Sequence, residues 1–392
     1  MRLRLFLLLQ LFSLTVFAQS YELSPNAELS VLTFGPGENL NDAFGHSAFR
    51  VKDQSVGMDV VYGYGEYDFD TPNFYLKFAQ GKLNYQMSKH DFADIYRYYS
   101  YFNRTIEEQV LNLSAAEKQS FYNYLVENYQ PENRKYLYDF FYDNCATRIR
   151  DVAEASIDGE IKFTPSKDFN AKTFRELIHD QVGLNTWGSF GIDIALGSVI
   201  DKQATAYEHM FLPKYIHQFF GNATLESDKK LVKDSKVIFK SVEKPNSSNF
   251  LWSPLMIMGI VSIIILFITY KDHQNKKRSK WVDLLLFGIT GLIGIVILLL
   301  WFATDHTATA QNYNVLWAFP LNLFIIGQLL SKHVRNWFKN YLKFLIIMLV
   351  LLCFHWIMNI QVYAVGLIPF LIALLIRYVF LLKHFKDTQE VY

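Results

Sequence analysis

The chain of 392 residues has almost no cysteine, two in all: Cys145 and Cys353. Cys145 stands alone between residues 19 and 250, and Cys353 lies in an apolar run, so a disulfide framework is excluded. Excess charge of one sign is also missing. Lys and Arg number 38 against 37 Asp and Glu, for a net +1, and this removes the electrostatic footprint of a nucleic-acid binder. The sequence holds no HExxH, no CxxC pair, no GxSxG elbow and no glycine-rich phosphate loop. Zinc hydrolysis, serine acyl transfer and nucleotide chemistry thus lack their usual signatures, and neither metal nor cofactor is expected. No internal repeat and no low-complexity tract is present.

What is present divides into two unlike parts. Arg2 and Arg4 precede the apolar stretch Leu5 to Phe17 and a small residue, Ala18, the pattern of a signal peptide over 1–18. From residue 251 come five apolar stretches near spanning length: 251–270, 282–303, 315–330, 342–360 and 362–382. The third is short and the last two are tightly joined, so four spans also fit. Lys and Arg gather at Lys271, Lys276, Lys277, Arg278 and Lys280, again at Lys332, Arg335, Lys339 and Lys343, and at Lys383 and Lys386. The alternate connections carry none, so five spans with the N-terminal domain outside and the C-terminus inside satisfy every loop. The expected layout is an exported domain over 19–225, a connector over 226–250, a membrane bundle over 251–383 and a cytoplasmic tail over 384–392.

The exported part reads as α+β. Residues 46–52 and 58–64 alternate and are rich in β-branched and aromatic side chains, with a turn around Gly57, as expected for a hairpin. Ser114 to Glu117 has capping-box spacing before a stripe of Phe121, Leu125 and Tyr129, and Asn144 heads a second helix with Ile149, Val152 and Ala153 on one face. A short strand is expected at 236–241.

Cys145 therefore falls in the first turn of a helix. Free N–H groups and the positive helix end there favour thiolate and can hold an oxyanion. Such a nucleophile needs a base, and the exported domain offers His46, His90, His179, His209 and His217. His46 stands out because it follows Gly45 and opens a strand, which places it at a sheet rim that a helix start can face. The bland alternative is a strand-end hydrogen bonder. His90 reads as a surface residue at a helix start, and the other three sit in polar helical settings.

A helix-start cysteine after Asn, with its histidine on a strand about a hundred residues upstream, resembles the circularly permuted papain-like (NlpC/P60) group that includes lecithin:retinol acyltransferase. A closer resemblance is to the Lnb family of bacterial membrane proteins. It is carried by Phe44-Gly45-His46-Ser47-Ala48-Phe49-Arg50, Tyr62-Gly63-Tyr64-Gly65-Glu66-Tyr67, Asp143-Asn144-Cys145-Ala146-Thr147-Arg148 and Met210-Phe211-Leu212-Pro213. Thr304-Asp305-His306-Thr307 and the segment from Asn312 to Leu323 add to it in the membrane half.

The resemblance implies a permuted papain-like exported domain on a bundle of about five spans in the inner membrane. It further implies lipoprotein N-acylation, in which an acyl chain passes from a membrane phospholipid to the amine of a lipidated apolipoprotein. Cys145 would be nucleophile and His46 acid and base, with Glu66 favoured over Asp42 to orient the imidazole. Asn144, Arg148 and Arg150 beside the nucleophile, and Asp305 and His306 at the outer end of the second span, are candidate substrate contacts, with headgroup recognition or docking of the exported domain as the two roles for the last pair. Two other readings stand beside it: a membrane-tethered cysteine hydrolase using the same pair, and a scaffold in which the thiol is structural.

Overall fold

The computed structural model describes residues 21–226, 228–242, 250–331 and 334–387, so the expected signal peptide lies outside the described residues. The N-terminal domain opens with strands β1 (Glu28–Phe34), β2 (His46–Asp53) and β3 (Met58–Glu66), then helix α1 (Phe74–Ala79) and strand β4 (Asn84–Asp91). It continues with α2 (Phe92–Tyr101), β5 (Ile106–Leu111), α3 (Ala115–Asn128), β6 (Lys135–Leu137) and α4 (Cys145–Ser156). After β7 (Ile161–Lys162) follow α5 (Phe174–Val182), α6 (Trp187–Ala195), α7 (Ala206–His209), α8 (Pro213–Asn222), β8 (Thr224–Leu225) and β9 (Val232–Phe239). The expected strand at 236–241 thus starts and ends earlier, as β9 follows the length of its partner β5.

Seven strands form one antiparallel sheet in the order β6-β4-β3-β2-β1-β5-β9. The period-2 pattern separates its two faces. Val31, Phe49, Val51, Tyr62 and Tyr64 point into the main core with Phe121 and Leu125 of α3, Ile149 and Val152 of α4 and Ile216 of α8. Leu32, Phe34, Ala48 and Val61 point the other way, under Tyr99 of α2. Register brings Phe34 opposite both His46 and Ile106, and Ile106 opposite Phe239. One rim of the sheet therefore collects the ends of β1, β3 and β9 with the starts of β2 and β5, and the tip of the β2–β3 hairpin lies at the far side.

Among the described residues, four helices are long and apolar enough to cross a membrane: α9 (Pro254–Gln274), α10 (Lys280–Phe302), α13 (Asn336–Ile357) and α14 (Leu367–Asp387). The third apolar stretch, expected as a span over 315–330, is instead a 3-10 turn at Tyr313–Leu316 followed by α11 (Leu321–Phe324) and α12 (Ile326–Leu330). Pro320 lacks the N–H that a continuous helix would need there. The broken segment nevertheless runs antiparallel along α10, with Ala318 against Gly294, Leu323 against Gly291 and the Leu329 carbonyl accepting from Arg278 Nη2 at 2.7 Å. The glycines let its backbone approach. Asn322 then supplies polar partners, donating to Thr290 Oγ1 at 2.9 Å and accepting from the Tyr341 hydroxyl at 2.6 Å. The segment therefore lies along α10 from Gly294 to the loop that carries Arg278.

Candidate active site

The rim holds the paired groups. Gly45 takes φ 78, and a Cβ there would come 2.7 Å from the Phe34 carbonyl oxygen, so only glycine makes this entry to β2 comfortably. His46 follows as the first residue of the strand, its ring stacked at 5.9 Å on Phe34. Across from it, β3 carries Gly63 and Gly65. A Cβ on Gly63 would lie 3.4 Å from His46 Nε2, and one on Gly65 would lie 3.7 Å from Cys145 Cβ. Two glycines two residues apart keep open the space that the imidazole and the thiol occupy.

Cys145 heads α4 because Asn144 caps it. The Asn144 Oδ1 accepts the N–H groups of Ala146 and Thr147 at 2.8 and 2.9 Å, and Thr147 Oγ1 accepts the Asn144 N–H at 2.8 Å. The thiol is half-buried, and burial pushes its pKa up to about 11, against the N–H groups of Ser47, Ala146 and Cys145 itself and against Arg104, which favour the thiolate. Burial likewise pushes His46 down to about 4, helped by Arg104 and opposed by Glu66 and Asp42. The sequence-level expectation of a thiolate at rest is thus corrected. Desolvation outweighs the helix start, and the resting pair is neutral thiol beside neutral imidazole.

This arrangement makes stability depend on pH. An unfolded His46 binds its proton near pH 6.5, whereas the folded one resists it until about pH 4. Stability is therefore lost as pH falls through that window, by about 2–3 kcal/mol from this residue. Denaturant titrations of the full chain at pH 7 and pH 4.5 should show a drop that His46→Phe reduces; an equal drop in both proteins would contradict it.

The other expected site residues fall as follows. The Glu66 carboxylate is held by His90 Nε2 at 2.7 Å, so it acts on His46 by charge while its hydrogen bond is spent on a neighbour. His90 itself sits in β4, one residue short of its end. Asn144 is 3 % exposed and its amide donates to the carbonyls of Phe140 and Phe211 at 2.7 and 2.8 Å, which makes it a cap and brace with nothing left for substrate. Arg150 is buried between Asp151 and the Tyr207 carbonyl, with its guanidinium 3.8 Å from the Tyr207 ring centre, and is no free phosphate ligand. Arg148 pairs with Asp143 through two hydrogen bonds and covers Tyr136. Asp305 and His306 dock the exported domain: the Asp305 N–H donates to the Gln80 carbonyl at 2.8 Å, and His306 Nε2 meets the Phe78 carbonyl at 3.1 Å. His179 bonds Asp193 and His209 bonds the Thr205 carbonyl, while His217 lines a hollow beside Lys230 and Asp234.

Sequence reasoning passed over Arg104 and three tyrosines. Arg104, 4 % exposed, donates to the Gly35 carbonyl at 2.9 Å and to Asp42 at 3.1 Å, and lies 4.6 Å from the ring centre of Tyr99. Asp42 is thereby spent on Arg104. Burial keeps the phenols of Tyr99, Tyr136 and Tyr138 protonated. The Tyr136 hydroxyl has no partner among the described residues, which leaves a donor free near the thiol. Nothing but the density of tyrosine in this region signalled these side chains.

Two family models match the chain: the Lnb N-terminal periplasmic domain over residues 17–180 and the Lnb transmembrane domain over residues 245–388. No curated protein and no solved structure matches it.

Proposed function

The chain belongs to the Lnb family, and from that premise we propose that it is a lipoprotein N-acyltransferase with Cys145 as nucleophile. The observation that carries the reading is the thiol at the start of α4, which shares its glycine-lined slot with His46 at a rim joined to the membrane half. In the first half-reaction His46 takes the thiol proton as the sulfur attacks a phospholipid ester carbonyl, so no free thiolate has to persist in the buried site. The N–H groups of Ser47 and Cys145, which already favour the thiolate, stabilise the tetrahedral oxyanion. Collapse breaks the ester C–O bond, His46 returns the proton to the departing alcohol, and a thioester remains. The amine of the lipidated N-terminal cysteine of an apolipoprotein then attacks the thioester, His46 accepts its proton, and the thiol is restored with the amide formed. Both substrates are membrane-anchored, as is the domain, which favours this reading over a soluble-substrate hydrolase.

The test is mass spectrometry of a lipoprotein N-terminal peptide from cells with the intact chain, with a deletion, or with Cys145→Ala. N-acylation present in the first and absent in the other two is expected. Full acylation with Cys145→Ala as the sole copy, in cells where the deletion abolishes it, would remove Cys145 from the reaction; cleavage of amides without any acyl transfer would move the assignment to a hydrolase.

A further inference from the structure

Among the exposed aromatic side chains of the N-terminal domain, two groups lie at the rim that holds Cys145. On one side are Phe69 and, on α1, Tyr75, Leu76 and Phe78, exposed by 65, 79, 57 and 52 %. On the other are Tyr101 and Phe102 at the end of α2, exposed by 82 and 53 %, two residues before the Arg104 that braces Gly35 and Asp42. Apolar side chains of this size that leave more than half of their surface open on a folded domain mark a surface that meets something.

What they meet follows from where α1 is fixed. Its end is bonded to Asp305 and His306 through the Gln80 and Phe78 carbonyls, and Asp305 is three residues beyond Phe302, the last residue of the 23-residue apolar helix α10. Three residues of chain span at most about 10 Å, so α1 lies at the level of the lipid headgroups. A second tie acts from the far flank. Trp187 Nε1 donates to the Trp252 carbonyl at 2.9 Å and Asn185 Oδ1 accepts the Leu255 N–H at 3.0 Å, which holds the start of α6 to the outer end of α9. Leu40, in the loop that leads to His46, packs on Gly188 of α6.

We infer that the rim lies face-down on the outer leaflet, with the two aromatic groups set among the headgroups on either side of the Cys145 slot. Tyr and Phe are suited to that interface, and Lys77 and Lys82 on the same segment suit its anionic phosphates. A chain of rings continues from this surface to the thiol: Phe74 meets Tyr67 at 5.6 Å, Tyr67 meets Tyr85 at 5.3 Å, Tyr85 stacks on Tyr138 at 4.3 Å, and Tyr138 lies beside Gly65 and Cys145. This wall gives an acyl chain an apolar path out of the bilayer. The path alone rests on the proposed acyl transfer; the seat on the membrane does not.

A photoreactive phenylalanine placed at Leu76, at Phe102 or at Val56 tests the seat, using the full chain in nanodiscs of phosphatidylethanolamine and phosphatidylglycerol. Val56 is as exposed as the other two, at 51 %, but sits at the tip of the β2–β3 hairpin, opposite the rim. Illumination should add a lipid mass at 76 and 102 severalfold more often than at 56. Equal adducts at all three positions, or cross-links to a second protein chain in place of lipid, would overturn the inference. Thioester formation on Cys145, read by intact mass in the same preparations, separates the two ideas: adducts without thioester keep the seat and remove the acyl transfer, and thioester without adducts does the reverse.

Discussion

Cys145→Ser and His46→Ala should each slow acyl transfer by about 10⁴-fold or more, and the double variant should fall little further. The reason lies in the resting state. With the thiol pushed up to about 11 and the imidazole down to about 4, neither is charged at neutral pH, and the proton moves from one to the other only as the carbonyl is attacked. A serine hydroxyl in the same buried position is a far poorer nucleophile. A thiol without its imidazole must ionise into a desolvated slot by itself. Each loss removes the same transition state, so the two effects do not add. Single-turnover kinetics with a phospholipid donor and a lipopeptide acceptor would read this, alongside intact mass without acceptor, where the wild-type chain should gain one acyl group and Cys145→Ser none. Residual rates within tenfold of wild type in either single variant would break the assignment.

The hairpin of β2 and β3, the Ser114 and Asn144 caps and the placement of His46 and Cys145 at one rim were legible because each has a local cause: alternation, a capping side chain, a turn glycine before a strand. Membrane spans were legible from length and apolarity, except where Pro320 breaks the third stretch, since buried Asn and Thr side chains can replace a helix's hydrogen bonds only through partners far away in sequence. The supporting residues were harder for the same reason. Glu66 lies close to the rim in sequence pattern, but His90, 24 residues on, takes its hydrogen bond. Arg104 reaches the site from 62 residues beyond Asp42, a pairing no local pattern announces. Arg148 and Arg150 sit beside the nucleophile in sequence, yet at helical spacing their side chains turn to Asp143 and Tyr207.

Arg175→Ala should destabilise the N-terminal domain by about 3–5 kcal/mol. Arg175 is 1 % exposed and holds two buried carboxylates: Nη1 to Asp193 at 2.8 Å, and Nε and Nη2 to Asp201 at 2.8 and 3.0 Å, with Nη2 also donating to the Gly197 carbonyl at 2.9 Å. Those carboxylates and their backbone face the membrane half. Asp201 accepts the Val362 N–H at 3.3 Å, and Asn314 donates to the Asp193 carbonyl at 2.8 Å. Removing the guanidinium leaves two negative charges close together out of water; His179 Nε2 still reaches Asp193 at 3.0 Å, but Asp201 loses its main partner. Burial already raises the Asp201 pKa against the pull of Arg175, so in the variant it should rise further, and the loss of stability should shrink as pH falls and Asp201 is neutralised. An exposed pair provides the contrast: Arg97 and Asp94 are 77 and 63 % open, and Arg97→Ala should change stability by less than about 1 kcal/mol. Protease protection of the full chain in nanodiscs, measured against denaturant at pH 7.5 and 5, reads both variants. If Arg175→Ala behaves like Arg97→Ala, the junction between sheet domain and membrane helices does not depend on this ion cluster and must be held by the asparagine contacts of Asn312 and Asn314 instead.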